Sequence, residues 1–198
     1  MKRKIGPLFL AALGTLALAG WSYRNDPYTL QPQSRLWIDG TSTLRDFQCK
    51  APALTVAIDA ADDAVPALLA AEKAFRSVRF DVAVDRMDCA NGTMNGHLLK
   101  TLKVKENPVI SFRLDTYELS RSGDVTKGVL SGKLEIGGVE KAIVLPVELK
   151  SASDSALRVT GSTEINMRDF GLEPPSLMLG TLKVRERVKV SFDLTLKN

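Results

Sequence analysis

Hydrophobic and polar residues alternate along most of the chain after Arg35. Residues 78–84 read Val-Arg-Phe-Asp-Val-Ala-Val, and the same two-residue period recurs in residues 130–136, 143–149 and 188–196. Because successive side chains of a β-strand point to opposite faces, this pattern predicts strands with one buried side and one solvent-facing side. Strands of this kind are typical of antiparallel sheets, whereas parallel strands are usually apolar on both faces.

Turn sequences separate the predicted strands at hairpin-like spacing, as at Gly137-Gly138 and Ser122-Gly123-Asp124. A helical pattern is confined to residues 64–75 and 94–102. Seven or eight alternating strands with little helix predict an all-β meander that closes as a barrel or a sandwich. An eight-stranded barrel leaves an interior just wide enough for side chains or for one small ligand.

The first 19 residues have the order of a secretory signal peptide, with a basic start, an apolar run and small residues at its end. Cleavage is expected before Gly20. The run is shorter than the ~20 residues that a membrane-spanning helix needs, although an uncleaved anchor stays an alternative. Residues 20–34 are rich in Pro, Asn, Gln and Ser and predict a flexible leader. The folded domain is expected over residues 35–198.

The positive charge of the chain lies largely in the predicted signal. The 27 Lys and Arg residues exceed the 23 Asp and Glu residues, but Lys2, Arg3 and Lys4 belong to the signal, and removing these three leaves 24. A mature chain with nearly balanced charge gives no electrostatic support for binding nucleic acid.

Two cysteines, Cys49 and Cys89, are the only ones in the chain. They lack the close spacing of zinc sites and thiol-exchange motifs. An even number of cysteines in an exported protein predicts a disulfide, which would close a loop of about 40 residues. Two separate buried thiols are the alternative.

Residues suited to catalysis are scarce. His97 is the only histidine, so neither a Ser-His-carboxylate set nor a zinc site finds its partners in the sequence. His97 is expected to have a surface or structural role. A Gly-rich phosphate loop and a dinucleotide fingerprint are both missing from the sequence. The chain is therefore predicted to be no enzyme and to carry no metal or cofactor.

Four separated segments resemble the YceI-like family in order and spacing. They are LWIDGTSTLRDFQCKA at 36–51, NPVISFRL at 107–114, GVLSGKLEIGGVEKAIVLPVEL at 128–149, and INMRDFGLEPPSLMLGTLKVRERVKVSFDLTL at 165–196. The resemblance implies a lipocalin-like antiparallel barrel with a helical cap, exported to the periplasm, whose members enclose a polyisoprenoid or isoprenoid-quinone chain. The sequence departs from the family near its first strand, where a His-Ser pair is frequent and Thr41-Ser42 or Gly40-Thr41 stands instead.

An apolar lipid is therefore the expected ligand of a single extended barrel of about eight strands. The candidate ligand-binding residues are the inward-facing side chains Phe80, Val82, Ile110, Phe112, Leu114, Leu134, Ile136, Val190, Phe192 and Leu194. The alternative is a structural or interaction module of the same fold, in which these side chains fill the interior themselves. A membrane surface and a second copy of the chain are further partners that the sequence leaves open.

Basic residues cluster in two similar segments, residues 99–114 and 179–194, each expected to combine a helical turn, a charged corner and a strand. If these corners form the barrel mouth, their charges attract an anionic headgroup or membrane surface; simple solvated charge is the alternative. The residues concerned are Lys100, Lys103, Lys105, Lys183, Arg185, Arg187 and Lys189. Residues 173–178, which begin Glu-Pro-Pro, are expected to form a lid over one end.

Overall fold

The computed structural model describes residues 28–153, 155–177 and 181–198; the predicted signal and residues 20–27 lie outside this part of the chain. Its strands are β1 (Thr29–Leu30), β2 (Arg35–Thr41), β3 (Asp46–Lys50), β4 (Leu54–Ala60), β5 (Phe75–Ala83), β6 (Val109–Ser122), β7 (Val125–Ile136), β8 (Val139–Ser153), β9 (Ala156–Asn166), β10 (Ser176–Leu177), β11 (Leu182–Lys183) and β12 (Arg187–Lys197). The helices are α1 (Ala64–Leu69) and α2 (Gly92–Thr101), with 3-10 turns at Val84–Arg86 and Met167–Phe170.

One antiparallel sheet contains all of these strands except β10 and β11, which pair with each other. Its order is β3-β2-β12-β9-β8-β7-β6-β5-β4, and β1 pairs with the end of β12. The stretch from β4 to β9 is a meander, because each strand pairs with the next along the chain. The predicted all-β antiparallel class is confirmed.

The sheet curls into a barrel whose two edges, β3 and β4, are joined by residues 51–53. The Ala51 N–H donates to the Leu36 carbonyl at 2.9 Å, and the Ala83 N–H donates to the Ala53 carbonyl at 3.2 Å. Lys50 and Asp88 also exchange two backbone hydrogen bonds. The connection between the edges is therefore tied to the strands on both sides of it.

Two buried clusters lie inside the barrel, one towards each end. One combines Tyr28, Leu68 of α1 and Leu157 with inward residues of neighbouring strands. The other combines Ile136 and Phe170 with residues around α2. The inward side of every long strand supplies these apolar residues because the sequence alternates, and the sheet thereby separates an apolar interior from a polar outer surface.

The two helices differ in how well the sequence predicted them. Helix α2 closely matches the predicted 94–102, and the Asn91 side chain caps it by accepting the Met94 N–H at 3.0 Å. The helix predicted over 64–75 instead ends at Leu69, because Ala71 adopts a left-handed φ of 65° and Phe75 already belongs to β5. Neither helix is long and apolar enough to span a membrane.

The fold takes in the last part of the predicted leader, so the boundary at residue 34 is wrong. Tyr28 is 5% exposed, its ring meets that of Phe75 edge-on, and its burial raises its pKa. β1 follows it, and the Gln31 N–H donates to the Thr195 carbonyl at 2.8 Å. The polar composition of this stretch concealed a short strand that is held by β12.

The two similar basic segments fold differently. Residues 99–114 continue α2 and enter β6, as expected, whereas the second segment carries strand β11 at Leu182–Lys183 before β12. The helical turn predicted for the second copy is therefore wrong at these residues. Pairing of β11 with β10 and with the β2–β3 turn overrides the local sequence similarity.

Candidate functional site

A cavity of about 720 Å³ runs through the interior of the barrel. Its wall is built from the inward-facing residues of the long strands, and nearly all of them are aliphatic or aromatic. This volume lies towards the upper end of the range of ~300–1,000 Å³ that is usual for small-molecule sites. The barrel interior is hollow rather than filled by its own side chains.

All ten predicted ligand-binding residues line this cavity. They come from β5 (Phe80, Val82), β6 (Ile110, Phe112, Leu114), β7 (Leu134, Ile136) and β12 (Val190, Phe192, Leu194). The two-residue alternation thus identified the inner face of each of these strands. Contact of these residues with a ligand stays a prediction.

Other wall residues were missed as candidates, notably on β2, β4, β8 and β9. They include Leu36, Ile38, Val56, Ile58, Ile143, Leu145, Val147, Val159 and Thr163. For β8 the alternation had already shown an apolar face, so the signal was present but was not extended to the ligand. In β2 the bulky Trp37 lies between Leu36 and Ile38 and obscures the alternation.

Three phenylalanine rings lie against inward-facing glycines of the wall. An added Cβ would lie 2.2 Å from the Phe47 ring at Gly40, 2.6 Å from the Phe112 ring at Gly132, and 2.5 Å from the Phe192 ring at Gly161. All three rings line the cavity. Because glycine has no side chain, each ring occupies space beside the sheet that a β-carbon would otherwise take. The glycines therefore help to keep the lumen wide.

Helix α1 closes one end of the cavity. Leu68 is 1% exposed and lines the cavity, and the Thr126 hydroxyl of β7 donates to the Leu69 carbonyl at 2.7 Å. Tyr117 also lines the cavity at this end, and its hydroxyl accepts the N–H groups of Ala74 and Phe75, each at 2.8 Å. The polar groups of this end are thus bonded within the protein.

The opposite end carries the mouth of the cavity. Of the described residues that line the cavity, four are exposed: Leu44, Arg45, Asn91 and Thr93. The first two belong to the turn between β2 and β3, and the other two to the start of α2. The mouth therefore opens between this turn and α2.

Polar lining residues are concentrated at this mouth. Ser42, Arg45, Asn91, Thr93, His97 and Thr101 all line the cavity there, whereas the strand wall contributes Thr163 and the bonded Tyr117. His97 is half-buried and belongs to α2. Its place in the cavity lining was missed because nothing in the sequence shows which side of α2 faces inward.

The predicted disulfide joins Cys49 of β3 to Cys89 just before α2. Both cysteines are buried and line the cavity. The bond therefore connects an edge strand of the sheet to the segment that leads into the helix at the mouth.

A hydrogen-bond network fixes the backbone around Cys89. The Asn95 side chain accepts the Cys89 N–H at 2.7 Å and donates to the Asp88 carboxylate at 2.8 Å. The Ala90 N–H donates to the same carboxylate at 2.9 Å. The hydrogen bond from Asn95 and, to a smaller extent, the one from Ala90 lower the pKa of Asp88.

The segment predicted as a lid lies beside the mouth. Pro175 lines the cavity, β10 pairs with β11, and Met178 lies outside the described residues. Thr43 of the β2–β3 turn binds this hairpin, because its N–H donates to the Lys183 carbonyl at 3.0 Å and its hydroxyl to the Thr181 carbonyl at 2.8 Å. Opening and closing of the segment stay a prediction.

The basic residues expected at the mouth do not line the cavity. None of the seven Lys and Arg residues of the two similar segments is among the lining residues, and Arg45 is the charged residue found there. In the part of the chain that the structure describes, no group of three His, Cys, Asp or Glu side chains is arranged to bind a metal ion.

A family model described as the YceI-like domain matches residues 39–196. Among curated proteins no sequence matches significantly.

Several solved structures share the fold at low sequence identity. A polyisoprenoid binding domain from Saccharophagus degradans is 14% identical with a TM-score of 0.66, over 86% of this chain and 97% of that one. BcnA of Burkholderia cenocepacia is 15% identical with a TM-score of 0.63, over 82% and 95%. A Campylobacter jejuni YceI protein is 19% identical with a TM-score of 0.59, over 76% and 84%.

Proposed function

The chain belongs to the YceI-like family, and from this premise we propose that it is a non-catalytic binding protein that carries or sequesters a long-chain isoprenoid or related lipid in its barrel. The observation that carries the proposal is the apolar cavity of about 720 Å³. One protein of the same fold, from Saccharophagus degradans, is a polyisoprenoid binding domain, which supports the choice of lipid.

The size of the cavity favours an occupied barrel over an interior that only packs against itself. A lumen lined almost wholly by apolar side chains offers water few hydrogen-bond partners. An apolar ligand removes that lining from water, which gains roughly 25 cal/mol for each Å² of apolar surface buried. The alternative of a module with a filled interior is correspondingly weakened.

Export is the second part of the proposal. The basic and apolar start of the chain is typical of a secretory signal, and the Cys49–Cys89 bond suits the oxidising periplasm. The mass of the intact protein recovered from the periplasm tests whether the signal is removed. A mass that corresponds to a chain starting at Gly20 supports cleavage, whereas a mass that includes residues 1–19 contradicts cleavage.

Two neighbouring residues of β8 provide a direct test of lipid binding. Ile143 lines the cavity, whereas Val144 is 59% exposed on the outer surface. We expect Ile143→Trp to occupy part of the lumen and to lower the amount of farnesol bound by delipidated protein at least several-fold. The Val144→Trp variant should bind as the unchanged protein does.

Both variants must retain the far-ultraviolet circular dichroism of the parent, which shows that the barrel is intact. Equal binding by the two folded variants would argue against an occupied lumen. The assay follows displacement of a fluorescent apolar probe by farnesol, so it can be run before the natural lipid is identified.

A further inference from the structure

The barrel wall contains a seam between β8 and β9. The pairing of these two strands stops at Val147, which lies opposite Gly161. Beyond this pair, within the part of the chain that the structure describes, residues 139–146 pair with β7 alone and residues 162–166 pair with β12 alone. Two stretches of strand edge in the wall therefore lack a ladder of backbone hydrogen bonds, and we call them the β8–β9 seam.

Pro146 explains why the ladder stops where it does. Its carbonyl oxygen lies on the β9 side, 2.7 Å from a Cβ built at Gly161. The N–H and C=O of one strand residue point to the same neighbouring strand, so the N–H that proline lacks would also have faced β9. It would have lain opposite Ser162 if the register of Val147 and Gly161 continued. Proline is confined to strand edges and irregularities for this reason, and here it occupies the first position beyond the last pair.

Cavity-lining side chains form the inner side of the seam. Ile143 and Leu145 of β8 line the cavity, as do Thr163 and Ile165 of β9. Leu145 and Ile165 are only 9% and 7% exposed, so packing of side chains closes the seam in this structure. Parting β8 from β9 here would break no ladder of backbone hydrogen bonds, whereas parting β8 from β7 would break a complete one. The wall therefore opens more easily at the seam than at the ladders on either side.

The outer rim of the seam is apolar on the β8 side. Ala142, Val144 and Pro146 are exposed there, and Val129 of β7 lies opposite Pro146. Val144 and Val129 are 59% and 47% exposed, and they are two of the four large hydrophobic residues that stand exposed among the described residues. The solvent side of an antiparallel sheet is usually polar. Apolar atoms thus continue from the lumen, across the seam, to the outside of the barrel.

The mouth is a less favourable path for a long apolar chain. Arg45, Asn91 and His97 line it, and the Cys49–Cys89 bond lies between the two elements that form it. A chain that leaves end-on passes these polar groups and exposes its methylenes to water, at a cost of about 0.8 kcal/mol for each one. A chain that moves sideways across the seam stays in contact with apolar side chains.

We propose that the β8–β9 seam is a lateral gate, through which the apolar chain of a lipid enters and leaves the lumen sideways without threading the mouth. The paired part of the two strands, from Val147 and Gly161 to the turn after β8, is the hinge. This inference rests on the proposed lipid-binding function and adds the route by which the ligand reaches its site.

A cross-link across the seam tests the gate. Val144 and Glu164 are exposed, one on each side, and would lie opposite each other in the continued register. The two native cysteines are joined to each other, so a short bis-maleimide reacts only with the new thiols of Val144→Cys/Glu164→Cys. We expect the cross-linked, delipidated full protein to take up and release farnesol roughly tenfold more slowly at unchanged affinity, because a gate alters the barrier and not the end states.

The matched control carries the same cross-link on the same two strands, outside the seam. Glu148 and Thr160 are directly paired in the ladder, so linking Glu148→Cys to Thr160→Cys joins strands that are already closed. This protein should exchange farnesol at the rate of the parent. A second variant, Pro146→Val, restores the missing N–H. It should slow both amide hydrogen exchange in the seam and farnesol uptake without any cross-link.

The possible results separate the gate from lipid binding itself. Slower exchange of farnesol that is confined to the seam cross-link supports the gate. Equal rates in the two cross-linked proteins overturn it while lipid binding stands, as does a Pro146→Val protein with slower amide exchange and unchanged uptake. A folded Val144→Cys/Glu164→Cys protein that forms no cross-link, as judged by intact mass, has sides that do not adjoin, which also overturns the gate. A parent protein that binds no farnesol overturns the lipid-binding proposal.

Discussion

The glycines of the barrel wall decide how much room the interior has. At Gly132 and Gly161 an added methyl would meet both a phenylalanine ring and a backbone carbonyl oxygen, at 2.3 Å and 2.7 Å respectively. At Gly40 the three nearest atoms all belong to the Phe47 ring. A methyl at Gly40 can therefore be accommodated by moving one side chain, whereas the other two positions would require the sheet to shift.

Gly40→Ala is expected to turn the Phe47 ring towards the cavity and to narrow it near the mouth. We predict a loss of stability of about 1–3 kcal/mol from overpacking, together with a several-fold weaker affinity for farnesol. Urea unfolding and probe displacement measure the two effects. Gly96→Ala is the control, because nothing lies within 4 Å of its added methyl and alanine favours the helix there. Unchanged binding by a folded Gly40→Ala protein would contradict this account of the lumen.

An ion pair on the outer surface gives a prediction about pH. Arg158 donates two hydrogen bonds to Asp193, at 2.8 and 2.6 Å, and this contact lowers the pKa of the carboxyl group. Since the folded pKa lies below the unfolded value of ~3.9, the pair stabilises the protein above about pH 4. That contribution is lost as the pH falls through the lowered pKa.

Asp193→Asn is expected to lower the free energy of unfolding by about 0.5–1 kcal/mol at pH 7, because the Asp193 and Arg158 side chains are 30% and 51% exposed. Below pH 3 the difference between variant and parent should shrink. Glu148→Gln is the control, since Glu148 meets Lys150 in a single contact of 3.9 Å. A penalty for Asp193→Asn that stays constant from pH 7 to pH 2 would refute the assignment to charge.

At the scale of elements, the disulfide reinforces a connection that is otherwise made by a single isolated β-bridge. β3 is an edge strand, and the segment before α2 contacts it through the Lys50–Asp88 bridge and the Cys49–Cys89 bond. The mouth opens between the β2–β3 turn and α2, so the bond lies between the two elements that define the mouth. It is expected to limit how far these two elements separate.

Replacing both cysteines by alanine tests this arrangement. We predict a loss of about 4 kcal/mol, the chain-entropy value for a loop of about 40 residues, and faster release of bound farnesol. Alanine is chosen because both sites are buried and a serine hydroxyl there would lack a partner. Dithiothreitol should produce the same changes in the parent protein and none in the variant. An unchanged release rate in the destabilised variant would show that the bond serves stability alone.

The sequence predicted some elements well and others poorly, for physical reasons. Strand β5 was clear because Val78, Phe80 and Val82 face the interior and polar residues separate them. The predicted range of helix α1 was too long because alanine residues follow Leu69 in the sequence. In the structure Ala71 adopts a left-handed φ of 65°, which ends the helix. β1 was missed because two residues held by β12 leave no periodic pattern.

At the scale of the whole molecule, the wall of the site was predictable and its mouth was not. Alternation shows which residues of a strand face inward, so ten lining residues could be named without a structure. The mouth depends on how the β2–β3 turn and α2 meet across 48 residues of sequence, from Arg45 to Thr93. Local sequence patterns contain no information about contacts over such a separation. The basic residues of the two similar segments were expected at the mouth, but they do not line the cavity.

The volume of the lumen could not be predicted from the sequence either. Alternation gives the faces of the strands but not the distance across the barrel, and the same apolar side chains would also suit a filled interior. The close approach of Phe112 to Gly132 and of Phe192 to Gly161 depends on the pairing register of the strands. The hollow interior became visible only when that register was known.

The central claim is that the barrel holds a lipid, and native mass spectrometry of the protein purified from its cells without detergent tests it most directly. We expect a stoichiometric apolar adduct of several hundred daltons or more, released by organic solvent and identifiable as an isoprenoid or related lipid. A repeatedly bare mass that added isoprenoids do not shift would contradict it.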